Sequence, residues 1–197
     1  NMIAGLPDDY RENHLQADGK YAIDLSYPSF YPFMEYAESD SLRKLLRYMF
    51  LNKGMPQNVS ILSEILANRK SLAELLNYPS FSALIIDQGM AKSTEAVWEF
   101  EKDLIEKIQP KANWDTKQLL QLKYDTIEGN DKTITDWQKD YYENQLLLKK
   151  HRVDSEEVKQ YFQVDNVIEG LFAISSLLFD IKFREIENPS VWHSGVR

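Results

Sequence analysis

Nitrogen and sulfur side chains that could bind a catalytic metal are few in this sequence. Histidine occurs only at His14, His151 and His193, and cysteine is absent. A helical zinc site of the type H-E-x-x-H needs two histidines four residues apart, so that both lie on one helix face. These three are much farther apart, and we expect them to occupy ordinary surface or core positions.

The sequence also lacks the motifs of loops that bind phosphate or calcium. The seven glycines never fall at the spacings of G-x-G-x-x-G or G-x-x-x-x-G-K-[ST], whose backbone amides surround phosphates. Residues 125–137 resemble a calcium loop. However, Ile127 occupies the third ligand position and Gly129 comes one place early, so this segment is predicted to be a turn.

Paired carboxylates and serines could in principle do acid–base or nucleophilic chemistry. Asp8-Asp9 and Glu156-Glu157 stand at expected helix starts, where negative charge already interacts favourably with the helix dipole. Ser175-Ser176 lies in a very apolar segment with no histidine near it in sequence, as a catalytic triad would require. The sequence therefore predicts no catalytic, cofactor-binding or metal-binding residue in this chain.

Charge and hydropathy exclude several classes of partner. The 197 residues include 31 acidic and 23 basic ones, for a net charge of −8, and this disfavours nucleic acid, which needs a concentrated basic face. The sequence contains no uninterrupted run of about 18 apolar residues, which is the length needed to span a bilayer. The absence of cysteine suits a reducing compartment and favours a cytoplasmic location.

The hydrophobic period is helical from about residue 41 to residue 180. A first helix is predicted after a cap at Asp40 or Ser41 and before Gly54, and a second one ends at Asn77. Ser93 is predicted to open a further helix that ends at Pro110.

The later helices have their own start signals. Asp154 with Glu157 predicts a capping box, in which each side chain bonds to the backbone at the helix start. The last helix is predicted to start at Asp165 or Asn166. It is apolar on nearly all sides, which predicts that it is buried.

Strands are predicted only near the ends of the chain. Residues 20–27 alternate apolar and polar side chains, which indicates a half-buried strand, and the aromatic segment that follows is predicted to be an irregular, well-packed crossing. The fold class is therefore mainly α, an irregular multi-helix bundle with one or two short strands near the termini. We expect a single helical fragment over 1–197, divided into 1–40, the helices of 41–180, and a strand entry to a sheet at 181–197.

An ordered set of short segments carries a resemblance to a known family. The chain resembles the zinc oligopeptidases typified by thimet oligopeptidase, neurolysin, mitochondrial intermediate peptidase and oligopeptidase A. The resemblance covers nearly the whole chain. The matching segments are LPDDY, GKYAIDLSYPSFYPFM, NRKSLAELLNYPSFSAL, MAKS, DWQKDYYENQLLLKKHRVDSEEVKQYF, VIEGLF and VWHSGVR.

The resemblance implies that this is the helical region that precedes the catalytic part. In that family, an H-E-x-x-H helix and a downstream glutamate bind zinc and hydrolyse peptides, and none of those residues has a counterpart here. We therefore expect a fragment that is inactive alone, without zinc of its own. In a longer polypeptide it would help form the channel for short peptides, with a separate catalytic half as its partner.

A second hypothesis is a self-contained helical module that binds other proteins. Its support is the number of helical apolar stripes and two candidate exposed aromatics, Trp98 and Trp137. Under the first hypothesis, surfaces that dock on the catalytic half remain exposed and apolar near residues 181–197, so self-association or capture of a partner there is an additional expectation.

Overall fold

The computed structural model describes residues 2–126, 133–187, 189–193 and 195–196, and in these ranges it is mainly α-helical, as predicted. The chain divides into two compact units, Asn1–His151 and Arg152–Arg197. Their α-helices, in chain order, are α1 (Asp8–His14), α2 (Tyr27–Tyr36), α3 (Asp40–Leu51), α4 (Gln57–Leu75), α5 (Phe81–Gln88), α6 (Thr94–Thr126), α7 (Asp136–Leu146), α8 (Ser155–Lys159) and α9 (Val164–Phe179).

Side-chain caps define several helix starts. The Ser93 hydroxyl accepts from the Ala96 amide at 3.1 Å, which confirms the predicted start of α6. The cap of α3 is Ser39, not Asp40 or Ser41. The predicted cap is therefore wrong. Asp40 is instead the first residue of the helix, and its carboxylate accepts a hydrogen bond from Trp137 of α7. Asp154 accepts from the Glu156 amide at the start of α8.

Left-handed residues define two helix ends. Gly54 has a φ of +79° after α3, and Asn77 has a φ of +61° after α4. Glycine and asparagine tolerate this conformation better than other residues do, which is why both positions could be predicted as ends.

The strand predicted over residues 20–27 is wrong. Tyr21 forms a single bridge with Leu15, and no described strand lies beside the rest of the segment. The aromatic segment that follows is the regular helix α2 rather than an irregular crossing. Pro28 lies in its first turn, where a missing N–H costs nothing, so α2 can begin as early as Tyr27.

The predicted helix end at Pro110 is also wrong. Helix α6 continues through this proline as one element of 33 residues. Proline removes one backbone hydrogen bond, but the flanking turns are supported by i,i+4 pairs, Lys107 with Asp103 and Lys111 with Asp115.

The first unit has two buried clusters. The larger one joins α1, α2 and α3, with Trp137 of α7 packed against it, and the smaller one joins α6 to α7. Helix α7 contacts α2, α3 and α6 and is therefore central to this unit. The buried hydrophobic residues are Leu6, Tyr10, Phe30, Phe33, Met34, Ala37 and Leu46 in the larger cluster, and Leu119, Leu122 and Tyr142 in the smaller one.

The second unit contains α8, α9 and an irregular tail. The prediction that α9 is buried is wrong, because none of its residues is buried. An apolar helix is buried only if another element covers it, and composition alone does not supply that element. The described residues of 181–196 form no strand, since strand pairing requires a neighbouring edge.

Candidate functional site

Of the three histidines, His14 is held within the first unit. Its Nδ1 lies 2.7 Å from the carbonyl of Tyr10, and its Nε2 lies 2.9 Å from the hydroxyl of Ser29. Its ring also stacks on Tyr10 at 4.0 Å. Both nitrogens are therefore engaged in contacts between α1 and α2.

The other two histidines belong to different units. His151 ends a short π-helical turn, Leu147–His151, and is exposed. His193 accepts a hydrogen bond from the Gly195 amide at its Nδ1, at 3.0 Å. Among the residues that the structure describes, no group of three or more His, Asp or Glu side chains is arranged to hold a metal ion.

The carboxylate pairs stand at the starts of α1 and α8, as expected. Asp8 pairs with Arg11, and Glu156 pairs with Lys159 at 2.7 Å. Ser175-Ser176 lies within α9. The calcium-like segment includes residues 127–132, which lie outside the described ranges.

A partly buried polar network, for which the sequence contains no direct motif, joins α3, α6 and α7. We define it as Asp40, Arg43, Lys123, Trp137 and Gln138. Arg43 is only 2% exposed, and its guanidinium donates to the Ala37 carbonyl, to the Trp137 carbonyl at 3.2 Å and to the Asp40 carboxylate at 3.0 Å.

Asp40 is the main acceptor of the network. It also accepts from the indole N–H of Trp137 at 3.1 Å and from the Gln138 amide at 2.9 Å. Gln138 in turn accepts from the ammonium of Lys123 at 2.9 Å. The network therefore continues without interruption from α3 through α7 to α6.

Burial and the charge of Asp40 shift the pKa of Arg43 in opposite directions. Burial lowers the pKa of its guanidinium, and the neighbouring carboxylate of Asp40 partly opposes this shift. The guanidinium also lies 4.1 Å from the centre of the Tyr141 ring, and burial raises the pKa of that phenol. These side chains are mutually satisfied and fix three helices, which is a structural role rather than a reactive one.

A sequence signal for Arg43 was present. Arg43, Leu46 and Phe50 share one face of α3, and a charge on an apolar face must find buried partners. Those partners lie about 95 residues away in sequence, at Trp137 and Gln138, so only the fold identifies them.

Two apolar surfaces of the first unit are exposed rather than buried. One lies on α4 and the other on α6, and their large apolar members are between 39% and 63% exposed. Trp98 is exposed as expected, whereas Trp137 packs against the core and bonds to Asp40. The α4 surface consists of Leu62, Ile65, Leu66, Leu72 and Leu76, and the α6 surface of Phe100, Leu104, Ile105 and Ile108.

No α-helix in the described part of the chain combines the length and the hydropathy needed to cross a membrane.

Comparison with known proteins places this helical chain in a family. The sequence profile of peptidase family M3 matches residues 33–197. The chain is 32% identical to saccharolysin of Saccharomyces cerevisiae over 90% of its length, and 30% identical to the thimet-like oligopeptidase of Dictyostelium discoideum over 100%.

Oligopeptidase A of Escherichia coli is 26% identical over 99% of this chain. The chain spans 26% to 31% of the length of these three relatives. Because the family profile matches most of the 197 residues, the chain belongs to peptidase family M3.

Proposed function

We propose that this chain is the helical portion of a zinc-dependent oligopeptidase, and that a separate catalytic part of a longer polypeptide carries out proteolysis. The observation that carries the proposal is the family match over residues 33–197, within relatives that are three to four times as long. Thimet-like oligopeptidase and oligopeptidase A are named for the cleavage of oligopeptides, which supports short peptides as substrates of the longer polypeptide.

Within that enzyme, the proposed role of this portion is to help wall the channel that admits peptides. The α4 and α6 surfaces support this role, because they present large apolar side chains on long helices. The polar network supports it too, since it gives α6 and α7 a fixed position relative to α3. A channel wall needs such rigid elements more than it needs reactive groups.

Zinc is proposed for the longer enzyme and not for this portion. A catalytic zinc site needs three protein ligands and an open position. The described residues do not provide such a group, and both nitrogens of His14 are engaged elsewhere. No catalytic step is therefore assigned to side chains of this chain.

A peptide-cleavage assay tests the proposal. The 197-residue chain is incubated with a quenched fluorogenic peptide and zinc, beside a full-length M3 oligopeptidase as the positive control. We expect turnover by the control only. Zinc-dependent, chelator-sensitive cleavage by the 197-residue chain would contradict the assignment of catalysis to another part.

A self-contained interaction module is the second candidate. The exposed α4 and α6 surfaces also favour this function, because apolar surface on a stable helix is a common binding site for another protein. The coding sequence after Arg197 discriminates between the two: continuation to an H-E-x-x-H segment supports the peptidase, and an immediate stop codon supports the module. For either candidate we propose a cytoplasmic location, supported by the lack of cysteine.

A further inference from the structure

Two serine hydroxyls connect a histidine of α1 to a carboxylate that precedes α2. The Nε2 of His14 lies 2.9 Å from the hydroxyl of Ser29, which lies 3.2 Å from the hydroxyl of Ser26. The Ser26 hydroxyl also donates to the carboxylate of Asp24 at 2.6 Å. We define the hydroxyl bridge as the side chains of Ser26 and Ser29. Each contact along it is within hydrogen-bond distance, so the bridge is continuous from the imidazole to the carboxylate.

The imidazole of His14 is held in one orientation, which decides where its protons lie. Its Nδ1 lies 2.7 Å from the carbonyl of Tyr10, and a carbonyl can only accept, so Nδ1 carries a proton. In the neutral ring the lone pair is therefore on Nε2, and the Ser29 hydroxyl must donate to it. Ser29 is only 6% exposed, so water has little access to this contact.

Ser26 is placed for a different task from the one that it performs. It occupies the N-cap position of α2, where a serine hydroxyl usually accepts from an amide of the first helical turn. Its hydroxyl makes no such bond. The amide and the hydroxyl of Ser26 both donate to Asp24 instead, and the hydroxyl also contacts that of Ser29. The side chain of Ser26 therefore belongs to the bridge and not to the cap.

We propose that the hydroxyl bridge is a proton-sensitive switch, whose hydrogen bonds reverse direction when His14 is protonated. With the ring neutral, Ser29 donates to Nε2 and Ser26 divides its single proton between Ser29 and Asp24. In the protonated ring Nε2 becomes a donor, so Ser29 accepts from it and donates to Ser26, and Ser26 donates fully to the carboxylate. The added proton stays on Nε2, and the two hydroxyl protons only rotate.

The groups around His14 keep their own charge while a histidine titrates. From α1, Tyr10 stacks on the ring, and burial raises the pKa of its phenol. From the segment before α2, Asp24 faces it. Hydrogen bonds from Ser26 are the main cause of the lowered pKa of Asp24, and a hydrogen bond from Ser29 and the charge of His14 add to it. Between about pH 5 and 8, where histidines ordinarily change charge, the phenol stays neutral and the carboxylate stays ionised.

This inference goes beyond the proposed function and does not depend on it. NMR of the full chain tests it at two residues. The nitrogen shifts of the His14 ring should show the Nδ1–H tautomer when the ring is neutral. The carboxyl carbon of Asp24 should shift in two steps, one at its own titration and one where the ring of His14 titrates. A neutral ring protonated at Nε2, or a single step at Asp24, overturns the proposal.

Ser29→Ala separates the bridge from the direct attraction between the two charges. It removes the shared hydroxyl and keeps the imidazole and the carboxylate, so most of the second step at Asp24 should be lost. A second step of undiminished size would mean that the charges act through space alone, which overturns the proposal. Ser63→Ala is the matched control, because its hydroxyl donates to the Val59 carbonyl within α4, and it should leave both steps unchanged. The tautomer measurement needs no variant and decides the question if Ser29→Ala does not fold.

Discussion

At the scale of single residues, Arg43 shows how one charge can organise several helices. Its guanidinium is buried and reaches two backbone carbonyls and the carboxylate of Asp40. Asp40 itself is about half exposed, so the pair is not completely removed from water. The energetic importance of Arg43 therefore comes mainly from the acceptors that depend on it.

Replacing Arg43 should destabilise the first unit strongly. Arg43→Met keeps much of the apolar stem but leaves the carbonyls of Ala37 and Trp137 without their donor, so we expect a loss of about 3 kcal/mol. Urea denaturation measures this loss. Arg11→Met is the matched control, because Arg11 forms an exposed pair with Asp8, and its cost should be at most about 1 kcal/mol. Equal effects of the two variants would show that burial of Arg43 is not important.

The hydrogen bonds of Asp24 predict that the stability of the fold depends on pH. The side-chain hydroxyl of Ser26, and then its amide, bond to the carboxylate and lower the pKa of Asp24 to about 2. A carboxylate with a lowered pKa in the folded state stabilises the fold above its unfolded pKa of about 3.9, and this contribution is lost as the pH falls toward 2. The carboxyl carbon resonance in NMR should follow that titration.

Ser26→Ala removes the largest cause of this shift. The pKa of Asp24 should then rise toward its ordinary value. The control is Asp18, whose pKa is lowered by a hydrogen bond from the Lys20 amide in a separate turn, and it should not change in this variant. An unchanged Asp24 titration in Ser26→Ala would contradict the assigned cause.

At the scale of elements, local sequence signals predicted helices better than their ends. Helices α4 and α6 lie within the region where the hydrophobic period is helical, α4 ends just before the predicted Asn77, and the start of α6 at Ser93 is confirmed. The strand at residues 20–27 and the helix end at Pro110 are wrong. A strand forms only beside a neighbouring strand, which can lie far away in the sequence. A proline lowers helix stability locally, and the hydrogen bonds and side-chain pairs of the flanking turns can outweigh that loss.

Pro110→Ala should strengthen the middle of α6. Alanine restores the missing backbone N–H and relieves the clash of the proline ring with the preceding turn, which costs about 3 kcal/mol in a helix interior. We expect slower hydrogen exchange for residues 106–114. Lys111→Ala is the control, because it removes only the exposed pair with Asp115 and should change exchange little. Faster exchange in Pro110→Ala would mean that the proline does not weaken α6.

At the scale of the whole molecule, burial is distributed very unevenly. Helix α2 contributes Phe30, Phe33 and Met34 to the larger core, whereas α9 contributes no buried residue. Local opening is governed by such buried contacts. The structure therefore predicts a stable centre around α2 and a much less protected α9.

Hydrogen exchange can measure this difference within one sample. Amides of α2 should exchange at least about 100-fold more slowly than those of α9, because α2 opens only with its core. Equal protection of the two helices at low concentration would contradict the burial that the structure shows.

What the sequence by itself determined is the helical class, the starts of α6 and α8, the family resemblance and the absence of H-E-x-x-H and phosphate-loop motifs. These properties follow from local periodicity, capping residues and ordered short segments, all of which act over a few residues. The resemblance is confirmed by the match to peptidase family M3.

Only the tertiary structure decided which apolar faces are covered and which buried charges meet. Helices α2 and α9 are both rich in apolar side chains, yet α2 is buried along one face and no residue of α9 is buried. Asp40 and Gln138 are 98 residues apart and bond directly. Burial and long-range pairing depend on which elements come together in space, and no local pattern contains that information.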